Sequence, residues 1–169
     1  MKDDGSFAYC KSPTPGAANT TEFVDSYLPK RVTFLSPVYI NEVLPKNKYS
    51  MMDESGDRSD WVELYNSSSE PVTLKGFFLS DDAEELEKWA IPEVTIPAGG
   101  YLLIFLDGKE STSTELHASF ALSQGEQMVL YDSNNQIYEA IDIIALPANV
   151  SIGRSTDGQL VYYRQPSPL

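Results

Sequence analysis

The chain has 169 residues, 41% of them hydrophobic, which suits one domain with one sizeable core rather than two. Twelve Lys and Arg against twenty-five Asp and Glu leave a formal charge of −13, and phosphate backbones are held through a cation excess that releases counterions, so nucleic acid and anionic headgroups are not expected as direct partners. Cys10 is the single cysteine, which excludes an intrachain disulfide and a four-cysteine zinc site, and no run reaches the roughly 18 apolar residues that a membrane-spanning helix needs.

The first segment in chain order has a second copy. Asp4-Gly5-Ser6-Phe7-Ala8-Tyr9-Cys10-Lys11-Ser12-Pro13-Thr14-Pro15 returns as Asp157-Gly158-Gln159-Leu160-Val161-Tyr162-Tyr163-Arg164-Gln165-Pro166-Ser167-Pro168 at a constant offset of 153. Asp, Gly, Tyr and both prolines coincide, so residues 1–19 are expected to be the terminal strand and tail of a preceding repeat. A last strand parted from its own domain leaves backbone groups to satisfy, and strand addition to a sheet edge is the expected solution. Residues 20–36 read as a linker. At its start, Asn19-Thr20-Thr21-Glu22 has the spacing of a capping box and Pro29 would stop a helix of about two turns.

From Val38 onward, short apolar runs recur every 8 to 15 residues with Gly, Pro, Asn and Asp between them, the pattern of an all-β sandwich or barrel. Strands are expected over Val38 to Leu44, Trp61 to Tyr65, Val72 to Leu79, Lys88 to Ile91, Tyr101 to Asp107, His117 to Leu122, Gln127 to Tyr131, Tyr138 to Ile144 and Leu160 to Tyr163. Only Ala83 to Lys88 looks helical, for about a turn. Val62 and Leu64 alternate with Glu63, and Val72 and Leu74 with Thr73 and Lys75, so those strands are expected to be half-buried. Tyr101 to Leu106 is apolar on both faces and is expected at the centre of a sheet. Gly76 inside a strand suggests a bulge, and Ser133-Asn134-Asn135-Gln136 suggests a hairpin.

Several segments now look alike in order and spacing to one known family. Ile40-Asn41-Glu42-Val43, Asp60-Trp61-Val62-Glu63-Leu64-Tyr65-Asn66, Leu74-Lys75-Gly76-Phe77-Phe78-Leu79-Ser80-Asp81, Trp89-Ala90-Ile91-Pro92, Ile96-Pro97-Ala98-Gly99-Gly100-Tyr101-Leu102, Phe120-Ala121-Leu122-Ser123 and Ser151-Ile152-Gly153-Arg154 together resemble the lamin tail domain family. The resemblance implies that residues 37–169 form an immunoglobulin-like β-sandwich of about eight or nine short strands. For bacterial relatives it implies a non-catalytic interaction, anchoring or spacer module of a larger secreted or cell-surface protein, with any export signal outside this chain. The implied partners are a protein or cell-envelope component and adjacent repeats of the same protein. No catalytic residue, metal ligand or cofactor comes with the resemblance, and the −13 charge argues against carrying over the nucleic-acid association of nuclear lamins.

The residues themselves leave two other readings open. His117 is the only histidine, so an enzyme would have to work through it, but its neighbours alternate as in a strand and no nucleophile motif accompanies it; a structural histidine is expected. A carbohydrate- or Ca2+-binding accessory module is the alternative function. Asp53-Glu54-Ser55-Gly56-Asp57 and Asp81-Asp82 are oxygen-rich loops of the kind hard cations seek, and Trp61 or Trp89 could stack on sugar rings. Trp89 is expected in the core, whereas Trp61 shares a face with Glu63 and Tyr65 and is either covered or an exposed platform. The stretch Asn47 to Asp60 is long for a strand connection and is the expected recognition loop. Asn19, Asn66 and Asn149 head N-x-Ser/Thr triplets.

Overall fold

A computed structural model describes residues 36–134, 136–155 and 158–168, with the backbone of residues 9–10 and 23–24. The chain divides into two compact units, Met1–Arg31 and Val32–Leu169. In the first, β1 (Tyr9–Cys10) pairs antiparallel with β2 (Phe23–Val24), Tyr9 opposite Val24. The ladder partner of the first repeat copy is therefore a segment read as linker, and Phe23–Val24 is extended where a short helix was expected. The rest of residues 1–35 lies outside the described residues.

The second unit carries β3 (Val38–Leu44), β4 (Asp60–Asn66), β5 (Val72–Thr73), β6 (Phe77–Ser80), β7 (Trp89–Ala90), β8 (Thr95–Ile96), β9 (Tyr101–Leu106), β10 (Leu116–Ala118), β11 (Gln127–Asp132), β12 (Ile137–Asp142), β13 (Ser151–Arg154) and β14 (Leu160–Tyr163), with one 3-10 turn at Leu86–Lys88. A six-stranded sheet runs β10-β9-β4-β3-β13-β14 and a four-stranded sheet runs β12-β11-β6-β7, while β5 and β8 form a two-stranded ribbon. Among the described residues every pairing is antiparallel except β9 with β10. The two larger sheets close on one core. Val38, Ile40, Val62, Leu64, Ile104 and Ile152 come from the first, and Leu79, Met128, Leu130 and Ile141 from the second.

The expected strand Val72 to Leu79 is in fact two. Gly76 adopts φ +78°, a turn that only glycine takes without strain, so β5 and β6 part into different sheets. The glycine marks a corner, and the expected bulge lies elsewhere. In the β3 ladder Ile40 faces Leu64 and Glu42 faces Glu63, leaving Asn41 as the extra residue. This puts Ile40 and Val43, three apart in sequence, on the same buried face. Two strands carry too little apolar pattern to be expected from sequence: β8, and β13, which joins β14 to the rest of its sheet through β3. Gly153 in β13 is packed so closely that a Cβ there would meet the Tyr163 ring at 2.9 Å.

The amide and carbonyl of Ile40, the residue before the bulge, lie beyond the β13 pairing, and a buried ion pair takes both. Ile40 N donates to Glu139 Oε2 at 2.7 Å, Arg154 Nε donates to Ile40 O at 3.1 Å, and the Arg154 and Glu139 side chains pair directly. Glu139 stands on β12 and Arg154 on β13, so the pair spans the two sheets. Its desolvation is tolerable only while both charges and the bulge remain matched. Glu139→Ala should therefore lower the unfolding free energy by about 3–5 kcal/mol, whereas Glu139→Ala/Arg154→Ala should lose markedly less than the sum of the single variants. Urea titration of the four proteins of that cycle measures the coupling, and additive losses would show that the pair carries none.

Candidate functional site

The Asn47 to Asp60 connection is long but is not loose. Asn47 is buried and acts as its hub: Nδ2 donates to Met51 O and Ser59 O, both at 2.9 Å, Oδ1 accepts Ser50 N, and its own amide donates to Asp60 Oδ1 at 3.0 Å. From the far end of the chain, Asn149 Oδ1 accepts Lys48 N at 2.8 Å and Tyr49 N at 2.7 Å while Asn149 N donates to Lys46 O. Asn149 does this at φ +60°, a left-handed conformation that asparagine tolerates better than other residues with a Cβ. The second half of the loop winds around Asp53, whose Oδ1 accepts Ser55 N and Asp57 N.

Sequence placed Asp53 and His117 apart, and the fold brings them together. Asp53, Asp107 and His117 each offer one ligand atom within 4.8 Å of the others. A cation already stands there. Lys109 Nζ pairs with Asp53 Oδ2, lies 2.8 Å from Asp57 Oδ2 and 3.6 Å from Asp107 Oδ2. Calcium asks for six to eight oxygens, and a divalent ion would have to displace this ammonium to reach fewer. Asp81, in the other acidic loop, is buried and paired with Lys88 Nζ at 2.5 Å, and Asp82 Oδ1 accepts Glu84 N to close a turn. These arrangements are internal ion pairs and caps.

His117 is 3% exposed, stacks on Phe105 with ring centroids 5.3 Å apart, and holds Asp107 through Nδ1 at 3.0 Å. Asp107 also accepts Ser59 Oγ and Lys109 N. Ser111 Oγ bonds the His117 backbone rather than the ring. The arrangement is therefore a brace. It pins the short return from β9 to the parallel β10, and through Ser59 and Lys109 it fastens that return to the 47–60 loop.

Trp61 is fully buried with Leu44 and Phe105 on the outer face of the six-stranded sheet, under Met51, and so offers no sugar platform. Trp89 packs against the main core as expected. Tyr39, Tyr65 and Tyr101 form a row across three strands on that outer face, but the rings meet at 64° and 37° and present no flat surface. Asn66 is buried, its Nδ2 donating to Glu70 O, Ile96 O and Pro97 O, so the fold needs that nitrogen unmodified.

Among exposed charged residues such as Glu54, Asp57 and Arg58, the braced loop also holds two large apolar side chains in solvent. Tyr49 is 81% and Met52 49% exposed, and next to Tyr49 in the chain Lys48 enters the lining of a cleft of about 440 Å3 between Pro45–Lys48, Leu122–Gln124 and Ile143–Leu146. Asp60 lines it. Burial raises the Asp60 pKa above its ordinary 3.8, with the Asn47 amide opposing the shift only in part. Asp53 is shifted the other way, lowered first by its hydrogen bond from Lys109 and further by backbone amides, against a smaller push from burial.

Two stacked antiparallel sheets, a bulged third strand and a parallel β9–β10 pair define an immunoglobulin-like β-sandwich, a scaffold that presents loops at its ends. The Lamin Tail Domain family model matches residues 35–145, and the chain belongs to that family. Such domains are immunoglobulin-like interaction modules. The match ends before β13 and β14, which complete the six-stranded sheet here. No curated protein matches the chain.

The two carboxylates give opposite expectations. Asp53, with its lowered pKa, contributes stability that is present above the unfolded value near 3.8 and lost as pH falls through the folded one. Asp53→Asn should lower the melting temperature by a few degrees at pH 7, and the difference should shrink below about pH 4. Asp60, with its raised pKa, contributes most when protonated and opposes folding once ionised, so Asp60→Asn should leave stability at pH 7 unchanged or higher. Thermal melts across pH 3–7 measure both. For the loop itself, Asn149→Ala should cost about 1–2 kcal/mol and Asn149→Gly less, because glycine accepts the left-handed backbone. Both should speed amide exchange at Lys48 and Tyr49; unchanged exchange would show that Asn149 does not hold the loop.

Proposed function

We propose that this chain is a non-catalytic docking module of a larger secreted or cell-surface protein, and that it recognises a protein or cell-envelope partner through the Tyr49–Met52 end of the sandwich. The observation that carries the reading is a long loop held rigid by Asn47, Asn149, Asp53 and Lys109 while leaving a tyrosine and a methionine in solvent. A large side chain held in place loses little conformational entropy on binding, which is why rigid aromatic anchors dominate interfaces. Placement outside the cytoplasm is supported by the bacterial lamin-tail-like modules that the sequence resembles. Tandem arrangement is supported by the copy of residues 157–168 in residues 4–15: β14 corresponds to Phe7–Cys10, and β1 falls within that span.

A photo-crosslinking residue at position 49 of the parent polypeptide, in its native cells, should form discrete adducts that weaken when Asn149→Ala loosens the loop. The same residue at Lys75, an exposed position on the far corner, serves as the control. Equal adducts at both positions, or a parent protein confined to the cytoplasm, would defeat the reading.

A further inference from the structure

The cleft beside Tyr49 has a chemistry of its own, and its occupant can be read from three observations. Its floor is apolar: Leu122 and Ile143 are buried core residues showing an edge there, with Pro45 beside them and Ile144, 45% exposed, on the rim. Its mouth is basic. Lys46 and Lys48 both line it, and among the described residues neither has a carboxylate partner; Lys75, Lys88, Lys109 and Arg154 are in ion pairs, and Arg58 and Arg164, which are not, lie outside the lining of the cleft. In a chain of −13 net charge, two unpaired cations side by side form a local positive spot that long-range attraction would otherwise have drawn to its own acids. The third observation is backbone. Ile143 N donates to Glu126 O and Gly125 N donates to Ile143 O, but the amides and carbonyls of Ile144, Ala145 and Leu146 take no hydrogen-bond partner among the described residues. They continue β12, the edge strand of the four-stranded sheet.

A floor for alternate apolar side chains, cations for the carboxylates between them and a free backbone edge are the requirements of strand addition. We propose that the cleft between Pro45–Lys48 and Ile143–Leu146 binds an extended peptide segment of alternating apolar and acidic residues. The segment pairs its backbone with Ile144–Leu146, seats its apolar side chains on Leu122 and Ile143, and offers its carboxylates to Lys46 and Lys48. Asp60, whose Oδ1 accepts Asn47 N, stands in the wall of the same cleft. This proposal rests on the reading of this end of the sandwich as a docking surface and specifies what docks there.

The test uses the whole chain and three fluorescein-labelled octapeptides: alternating leucine and glutamate, alternating leucine and lysine, and alternating serine and glutamate. Anisotropy should show saturable binding of the leucine–glutamate peptide, with the other two weaker by at least about tenfold. Lys46→Glu/Lys48→Glu should reverse the preference so that the leucine–lysine peptide binds better, an outcome that mere damage to the fold cannot produce. In the unaltered chain, the leucine–glutamate peptide should slow amide exchange at Ile144 and Leu146. No binding of that peptide, equal binding of the serine peptide, indifference to the charge reversal, or unprotected amides at Ile144 and Leu146 would each overturn the proposal. Loss of the peptide result with the position-49 adducts retained would sink the peptide chemistry alone and leave the docking loop standing.

Discussion

The buried Glu139–Arg154 pair around the β3 bulge is the interaction on which the rest of this sandwich depends. A bulge is needed because Ile40 and Val43 must both enter the core. Beside the bulge the Ile40 amide and carbonyl fall outside the β13 pairing, and in the interior such groups must be matched. Here they are matched by a carboxylate from one sheet and a guanidinium from the other. Side chains that interdigitate in an apolar core tolerate sliding more readily than a three-way polar contact does, so this pair sets how the sheets register. Downstream of the bulge, Leu44 turns outward onto Trp61 and the chain enters the Pro45–Lys48 wall of the cleft. The site thus inherits its position from a contact deep within the domain.

Much of the fold was legible because period-two alternation is a local signal. Val38 to Leu44, Asp60 to Asn66, Tyr101 to Leu106 and Gln127 to Asp132 carry it over enough residues to fix both strand and face. β13 carries a single large apolar residue, Ile152, between serine, glycine and arginine, and so was visible only as part of a family resemblance. Val72 to Leu79 read as one strand because alternation continues across Gly76, and nothing local says that the chain changes sheets there. Trp61 stood between two readings because its cover, Met51, comes from an irregular loop with no period of its own.

The site was legible only in outline. Loop length singled out Asn47 to Asp60, since a connection that long is rarely idle. Its stiffness was not legible, because the groups that fix it, Asn149, Lys109 and Asp107, arrive from segments 47 or more residues beyond the loop's end or from the other edge of the fold. Composition gave the acidity and concealed its distribution. The cations are few, and among the described residues Lys75, Lys88, Lys109 and Arg154 are held in ion pairs, so two unpaired lysines on one cleft are informative in a way a total charge cannot be.

The order of strands in the six-stranded sheet has a mechanical consequence. β3 is antiparallel to β13 and β13 to β14, so β3 and β14 point the same way, with the start of one and the end of the other at opposite ends of the sheet. Tension applied between those two points runs along the strands. It therefore loads the β13–β14 and β3–β13 ladders in shear, where many hydrogen bonds resist together, rather than peeling them one at a time. The Tyr163 ring seated over Gly153 and the Ser167 amide on Glu42 lie on that same force path. A module strung between neighbours would extend little before it yielded.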